Sequence, residues 1–587
     1  MFGRAERFKG SRGGAEVAEE NLCSGSAPSA APRATPRWEN PPAATLSPCA
    51  CGQGDGSSGL AGHRRAGETL AAEIRRTTFA GVSTRPGALP SSPAPERPNR
   101  ALPLEHFRSR ERHRKIHPTE LALLVIIATH LVFLPWALGS MHAWAQLTSL
   151  GFSLVGMTVA LLNRTYTEEH TGLATFSVPG WPRLLRFPLF WLGLVFLGLV
   201  TAQGLNPAWS YRTDGKGWWM EATPFLSWLP SGVEVPFERG GPWRQLIIYA
   251  SAWLTVCAIW LGFTRRRSVQ LLLTVLALNG VLLAAFGLVQ KLAGGGRVFW
   301  LSPASNTGFF SAFFYKNHAS AYLNLVLAAA TSLAAWYYVR GLRRLEKSNP
   351  SAVFAFFAIC IGFAIVISYS RGATLIMLGF SLLCIGAFIV HYVRLPPEFR
   401  KPAIALGLLL VLGFSVRTGF EALNTKEAWD RMKSGINRDD ESLLYRERAS
   451  TAAWEMLQEK GLRGVGAGGF AFVFPIYQHR HPDLVAASGR PMFWEHAHND
   501  LLEIPIDLGL AGVCLLLGAA GYWLLGLTRN YFWSNPLSAG LMLGVLFTVI
   551  HARWEFVFQC PAILITWCAC WPVATLWAQF TERPSPV

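Results

Sequence analysis

Residues 351–393 read SAVFAFFAICIGFAIVISYSRGATLIMLGFSLLCIGAFIVHYV, and Arg371 is the single Lys, Arg, Asp or Glu among them. The stretch holds two nearly contiguous apolar runs, 351–369 and 373–393, separated by Ser370-Arg371-Gly372. About 18 such residues suffice for a helix to cross a ~30 Å hydrocarbon core. The pair therefore reads as two membrane-spanning helices joined by one polar turn.

Ten further runs follow the same pattern: 118–139, 144–162, 187–203, 245–263, 268–290, 318–339, 402–418, 506–527, 536–552 and 561–579. The fold class expected is thus all-α, a polytopic membrane protein with about twelve transmembrane helices. The first two runs are also compatible with a re-entrant pair, and 536–552 is short. Composition agrees, because 51% of the 587 residues are hydrophobic and only 15% are charged. Soluble domains carry about 25% charged residues.

A net charge of +17 raises nucleic acid as a partner, but the basic residues lie in short groups beside apolar runs. These are Arg265-Arg266-Arg267, Arg340 with Arg343, Arg344 and Lys347, and Arg394 with Arg400 and Lys401. That is the footprint of the positive-inside rule, so no nucleic-acid partner is expected. Placing those groups and 108–115 in the cytoplasm gives a consistent alternation with both termini inside. The opposite side then receives 204–244, 291–317, the Ser370–Gly372 turn and one large polar loop.

Four segments result: a low-complexity tail over 1–105, spans one to nine over 106–418, the large loop over 419–505, and spans ten to twelve with a short tail over 506–587. The first segment is rich in Gly, Ala, Ser, Pro and Arg without apolar periodicity, so disorder is expected there. It lacks the continuous apolar core of a signal peptide. An over-extended start site accounts for it as well as a functional tail does. Of ten cysteines, Cys257, Cys360, Cys384, Cys514, Cys568 and Cys570 lie in apolar runs. Cys23, Cys49 and Cys51 lie in the tail and Cys560 near a membrane edge, so no disulfide framework is expected in the loop. Cys49 and Cys51 alone are too few for a metal.

The densest polar cluster is Glu495-His496-Ala497-His498-Asn499-Asp500, with Glu503 one turn on and Gly509 beyond. Residues 498–509 read as a helix entering the bilayer, capped by Asn499 or Asp500. A cap does not require two histidines. Histidine accepts protons near neutral pH, and Glu503 is placed to orient such a ring. The alternatives are a plain solvated turn and a metal site, although the i, i+2 histidines differ from the H-E-x-x-H pattern.

In the turn of the opening stretch, Arg371 is either a helix-pairing arginine or an anion clamp, its planar fork matching phosphate oxygens. Residues 443–459 read as an amphipathic helix with Leu444, Ala449, Ala452, Ala453, Met456 and Leu457 on its apolar side. Arg446 and Arg448 on that helix and Arg463 after it are candidate phosphate or sugar contacts, or simply solvated. The glycines of Gly464-x-Gly466-x-x-Gly469 suit close backbone approach to a ligand. No strand precedes them, which rejects the dinucleotide reading. Asn317 most simply caps the span it opens, with Lys316 beside it able to face the same anion as Arg371. Trp209, Tyr211, Trp218, Trp219, Trp228 and Trp243 in loop 204–244 read first as an interfacial belt, second as a platform for sugar rings or a lipid headgroup.

Taken in order, Asn317, Ser370-Arg371-Gly372, Arg446 ahead of Gly464-x-Gly466, and His498-Asn499-Asp500-x-Leu502-Glu503 with Gly509 resemble the O-antigen ligase/polymerase family over roughly residues 190–575. The resemblance implies a GT-C-type, inverting glycosyltransferase of the bacterial inner membrane that needs neither metal nor cofactor. Its partners would be an undecaprenyl diphosphate-linked glycan donor, a lipid or glycan acceptor, and membrane lipid, with the reaction on the periplasmic face. Carried over, His498 resembles the catalytic histidine, and Arg371 and Arg446 the arginines that hold the diphosphate. His496, Asn499, Glu503, Lys316, Asn317, Arg448 and Arg463 are the remaining candidates for substrate contact. The chain departs from the family pattern in having His496 as well as His498, and in lacking Pro before Gly461.

Ligase, polymerase and protein O-oligosaccharyltransferase are not separated by these residues, with ligase slightly favoured. A lipid-linked sugar transporter is the rival of another class. It would show inverted repeats and mid-membrane charges, whereas the polar clusters here sit at the rim. A non-enzymatic scaffold would leave His498 unused.

Overall fold

The computed structural model describes residues 116–167, 175–215, 217–294, 296–303, 308–346, 348–394, 441–482, 484 and 493–580. The N-terminal tail and the run 402–418 lie outside them. In chain order the helices are α1 (Pro118–Trp136), α2 (Ala143–Leu161), the short α3 (Gly180–Leu185), α4 (Pro188–Leu205), α5 (Pro242–Gly262), α6 (Arg266–Ala293), α7 (Lys316–Arg344), α8 (Ser351–Ile367) and α9 (Arg371–Val393). Then come α10 (Glu441–Lys460), α11 (Phe470–Gln478), α12 (Asp500–Arg529), α13 (Pro536–His551) and α14 (Pro561–Gln579).

Nine helices among the described residues are long and apolar enough to cross a membrane, α1, α2, α4, α5, α6, α7, α9, α12 and α14. The apolar α8 and α13 are shorter, at 17 and 16 residues. The chain is a helical, multi-pass membrane protein. Helices α1 and α2 each reach 19 residues, long enough to cross singly rather than as a re-entrant pair.

Strands occur as well, all in connectors. β1 (Arg164–Thr167) pairs antiparallel with β2 (Thr175–Val178). In the loop 204–244, β3 (Pro207–Thr213) lies between antiparallel β4 (Trp218–Ala222) and parallel β5 (Gly232–Glu234). Polar connectors have no helical apolar face to bury, and pairing satisfies their backbone groups instead.

Lipid tails give helices no hydrophobic reason to associate, so close packing and hydrogen bonds hold them together. Gly540 and Gly544 of α13 meet Ser332 and Ala328 of α7, and a Cβ on either glycine would overlap its neighbour. This small-xxx-small seam carries α13 against one of the most buried helices. Between α1, α2 and α5, His130 Nε2 pairs with Ser149 Oγ at 2.7 Å, and Ser149 and Ser153 both reach Ser251. At the N-terminus of α6, buried Glu120 accepts from Thr264 N, Arg265 N and Ser268 Oγ. That carboxylate satisfies donors a helix start leaves unpaired.

The large polar loop has its own core. Ala449, Ala452, Ala453 and Met456 of α10 pack with Phe470, Val473 and Phe474 of α11, Val233 of β5 and Ile506 of α12. Leu457 is only partly buried there, and the Leu444 side chain lies outside the described residues. The aromatic set of loop 204–244 divides. Tyr211 stacks on Trp218, whose edge meets Phe472 and Phe493, so these two join the sheet to α11. Trp219, Trp228 and Trp243 remain exposed, in keeping with a belt.

Candidate active site

Helix α12 begins inside the polar motif and is broken at Gly509, whose φ is +68°. There the Gly509 backbone meets the backbone of Arg463 and Gly464 too closely for any Cβ. The glycine-rich loop that contains them is filled by protein. Asp507 Oδ2 accepts from Gly468 N at 2.8 Å and Oδ1 from Phe470 N at 3.0 Å. Gln203 Oε1 accepts from Ala467 N, while Gly466 lies against Gly232. The glycines thus admit a neighbouring carboxylate and strand where the sequence suggested a ligand.

The turn before α12 places His498 at φ +49°, a left-handed conformation that costs a non-glycine residue about 1 kcal/mol or more. Its surroundings hold it there. Glu503 Oε2 accepts from Ala497 N at 2.7 Å, and its Oε1 meets His496 Nδ1 at 2.8 Å. Asp500 N donates to Ala552 O, and Phe558 N donates to Asp500 Oδ2 at 2.8 Å. The motif is therefore stapled to the connector between α13 and α14. Of the two histidines, Glu503 orients His496. Asn499 occupies the cap position of α12, but its side chain makes no capping bond. Its buried Oδ1 accepts no hydrogen bond from the described residues.

The carboxylate facing His498 is Glu555, in that connector and only 3% exposed. Arg446 Nη1 lies 2.7 Å from Glu555 Oε1, Asn317 Nδ2 donates to the same oxygen at 2.6 Å, and Tyr315 Oη donates at 3.2 Å to Oε2. His498 Nδ1 stands 3.5 Å from Oε2, an ion-pair distance longer than a formed hydrogen bond. Burial alone would raise the Glu555 pKa. The Arg446 guanidinium and His498 outweigh it and hold the carboxyl well below the usual range. Asn317 does not cap α7, whose cap position falls to Tyr315; its amide is committed to Glu555 and to Tyr315 Oη.

Phe556 is the apolar counterpart of Glu555. Its ring stacks on Tyr315 at 5.3 Å and on His496 at 4.6 Å, and meets the edges of His318 and His498 at 4.8 and 4.7 Å. Trp494 closes the other side of His498 at 5.9 Å.

Arg371 opens α9 after Tyr369, another residue with positive φ, at +59°. Ser320 Oγ of α7 donates to Ser368 Oγ at 2.6 Å, and Asn324 Nδ2 to Ala373 O at 2.9 Å. Gly372 lies against His551 at the end of α13. Half-buried Arg371 and Lys316 thus stand at the edge that carries Glu555 and His498, while the Tyr369 ring receives Lys291 Nζ at 3.8 Å. Arg448 is half-buried with its guanidinium over Tyr445. Arg463 is exposed, with its backbone at the α12 break rather than beside Glu555. Among the described residues no group of three or more His, Cys, Asp or Glu could hold a metal ion.

Glu555 and Phe556 had no role in the sequence reading, and Tyr315 and His318 entered it only as part of the stretch Tyr315-Lys316-Asn317-His318. The available signal was Arg553-Trp554-Glu555 in a connector of a few residues between two apolar runs, on the same side as the loop by alternation.

The fold and this cluster define a polytopic membrane protein with a site that brings histidines, arginine and buried carboxylates together at the end of its helices. Residues 354–517 match the family model described as O-Antigen ligase, which bears out the resemblance read from the motifs and points to glycan transfer in O-antigen biosynthesis. The matched stretch contains Arg371, Arg446, His496, His498, Asn499 and Glu503, whereas Tyr315, Asn317 and Glu555 fall outside it. No curated protein matches the chain.

Proposed function

We propose that this protein transfers a glycan from undecaprenyl diphosphate to an acceptor hydroxyl at the periplasmic face of the bacterial inner membrane, as an O-antigen ligase-like, GT-C-type inverting enzyme. His498 is the base that takes the hydroxyl proton, and Arg371 and Arg446 hold the diphosphate. A diphosphate is already a good leaving group, so fixed positive charge assists its departure more than acid catalysis does. The observation that carries this reading is the convergence on Glu555 of Arg446 from α10, Asn317 from α7 and His498 from the α12 turn. Base and anion-binding arginine are then neighbours, as in-line displacement requires.

The test is glycan transfer by His498→Ala and Arg371→Ala in membranes, with insertion checked separately. Each variant is expected to insert normally and lose transfer, and wild-type transfer by either would remove the assignment. Deleting the gene separates the two leading activities. Full-length chains left on the carrier point to a ligase, and single capped units point to a polymerase.

A further inference from the structure

We infer that Glu555 is a positioning residue that couples diphosphate binding to activation of His498, because its single carboxylate is shared between Arg446 at 2.7 Å and His498 at 3.5 Å. This rests on the transferase reading above. A diphosphate competes with Glu555 for the Arg446 guanidinium, since both offer the planar fork paired oxygens. Drawing Arg446 toward phosphate leaves the carboxylate to His498 Nδ1. A carboxylate at that nitrogen fixes the tautomer, directs the Nε2 lone pair at the acceptor, and stabilises the imidazolium that forms.

The step balances without any further reactant. The acceptor oxygen forms a bond to the anomeric carbon as its proton passes to His498 Nε2. The bond from that carbon to the diphosphate oxygen breaks, and its electron pair leaves with the diphosphate. His498 later returns the proton to water. Two features make Glu555 suited to the exchange. Asn317 and Tyr315 donate to it from α7, so it stays in place when Arg446 moves. It is also buried, and in low dielectric a change of partner has a large electrostatic effect.

The charged and titratable groups around His498 come from every packed element. They are Glu495 and His496 on its own turn, Asp500 and Glu503 on α12, Arg446 on α10, and Tyr315 and His318 at the start of α7. His551 at the end of α13 and Glu555 join them, and Lys316 and Arg371 stand at the same edge. Among these carboxylates, Glu503 is committed to His496 and Asp500 to the Phe558 amide, while Glu555 stands 3.5 Å from His498 Nδ1.

The experiment uses the full chain in lipid nanodiscs and measures undecaprenyl diphosphate binding and the pH profile of transfer. Glu555→Gln is expected to bind the carrier at least as tightly as wild type while kcat falls about 10²-fold. The acid limb of its profile moves about one unit lower, since His498 loses its counter-charge. Arg446→Gln moves that limb higher, because Glu555 is no longer shared, and weakens carrier binding. Glu555→Asp partly restores kcat. An acid limb unmoved in both glutamine variants, or carrier affinity lost along with kcat in Glu555→Gln, overturns the coupling alone. Wild-type protein that neither binds the carrier nor transfers overturns the transferase reading itself.

Discussion

His496 Nδ1 lies 2.8 Å from Glu503 Oε1, with the imidazole stacked on Phe556 and the carboxylate buried. Burial alone would lower the histidine's pKa, but the Glu503 charge overrides it and pushes the imidazole up to about 9. A folded pKa above the ordinary ~6.5 means a contribution to stability that is complete below pH ~6.5 and is lost as pH rises through about 9. Thermal unfolding in detergent should therefore show a midpoint that falls between pH 7 and 10. In His496→Gln that fall should be flattened, and an equal fall in the variant would refute the pairing.

Removing either member of that buried pair leaves the other uncompensated, at a cost of about 3 kcal/mol. Glu503→Ala should therefore lower the melting midpoint markedly and also disturb His498, whose turn depends on the Glu503–Ala497 bond. Glu503→Gln keeps an acceptor for that amide and should retain more activity than the alanine variant. Equal losses in both would argue against the brace.

Asp507 accepts from two amides of the glycine-rich loop, and orphaning buried donors costs about 1–3 kcal/mol each. Asp507→Ala is expected to destabilise the loop strongly, and Asp507→Asn, which keeps one acceptor, less so. Limited proteolysis between α10 and α11 reads the difference. Full resistance in the alanine variant would show that the loop does not depend on this carboxylate.

The α7–α13 seam has room for hydrogen only at Gly544. Gly544→Val should lower yield and melting temperature by separating the helices, whereas Gly521→Val, on a glycine with open space around it, should change neither. Comparable losses at both positions would place the defect elsewhere.

Transfer by the reconstituted protein should survive treatment with a divalent-metal chelator. Activity lost on chelation and restored by a divalent ion would favour the metal-site alternative.

The spans were legible because crossing a bilayer demands an unbroken apolar length, a local property of sequence. Eleven of the twelve runs coincide with apolar helices, and the remaining run, 402–418, lies outside the described residues. His498 stood out for the same local reason, as a titratable group beside a membrane-length run, and Arg446 for its place on an amphipathic helix ahead of the glycine motif. Their shared partner did not, because 109 residues separate Arg446 from Glu555 and only the packing of α10 against the α13–α14 connector joins them. Which histidine Glu503 orients was left open by the sequence, because helical spacing gives the direction of a side chain but not the path of the turn before it; the fold pairs it with His496. Asn317 was misread as a cap for a similar reason, since a buried carboxylate from a distant connector claimed its amide. The small sheets went unseen because polar connectors carry no periodicity strong enough to mark them.

The two short helices end beside the same cluster, α8 at the turn that carries Arg371 and α13 at the connector that carries Glu555. At 1.5 Å per residue they reach only about 24–26 Å, less than a ~30 Å hydrocarbon slab. Where such a helix faces lipid, the bilayer thins locally or flanking side chains snorkel to meet it. On the proposed function, a lipid-anchored diphosphate reaching that edge would meet arginine and carboxylate without being lifted out of the membrane.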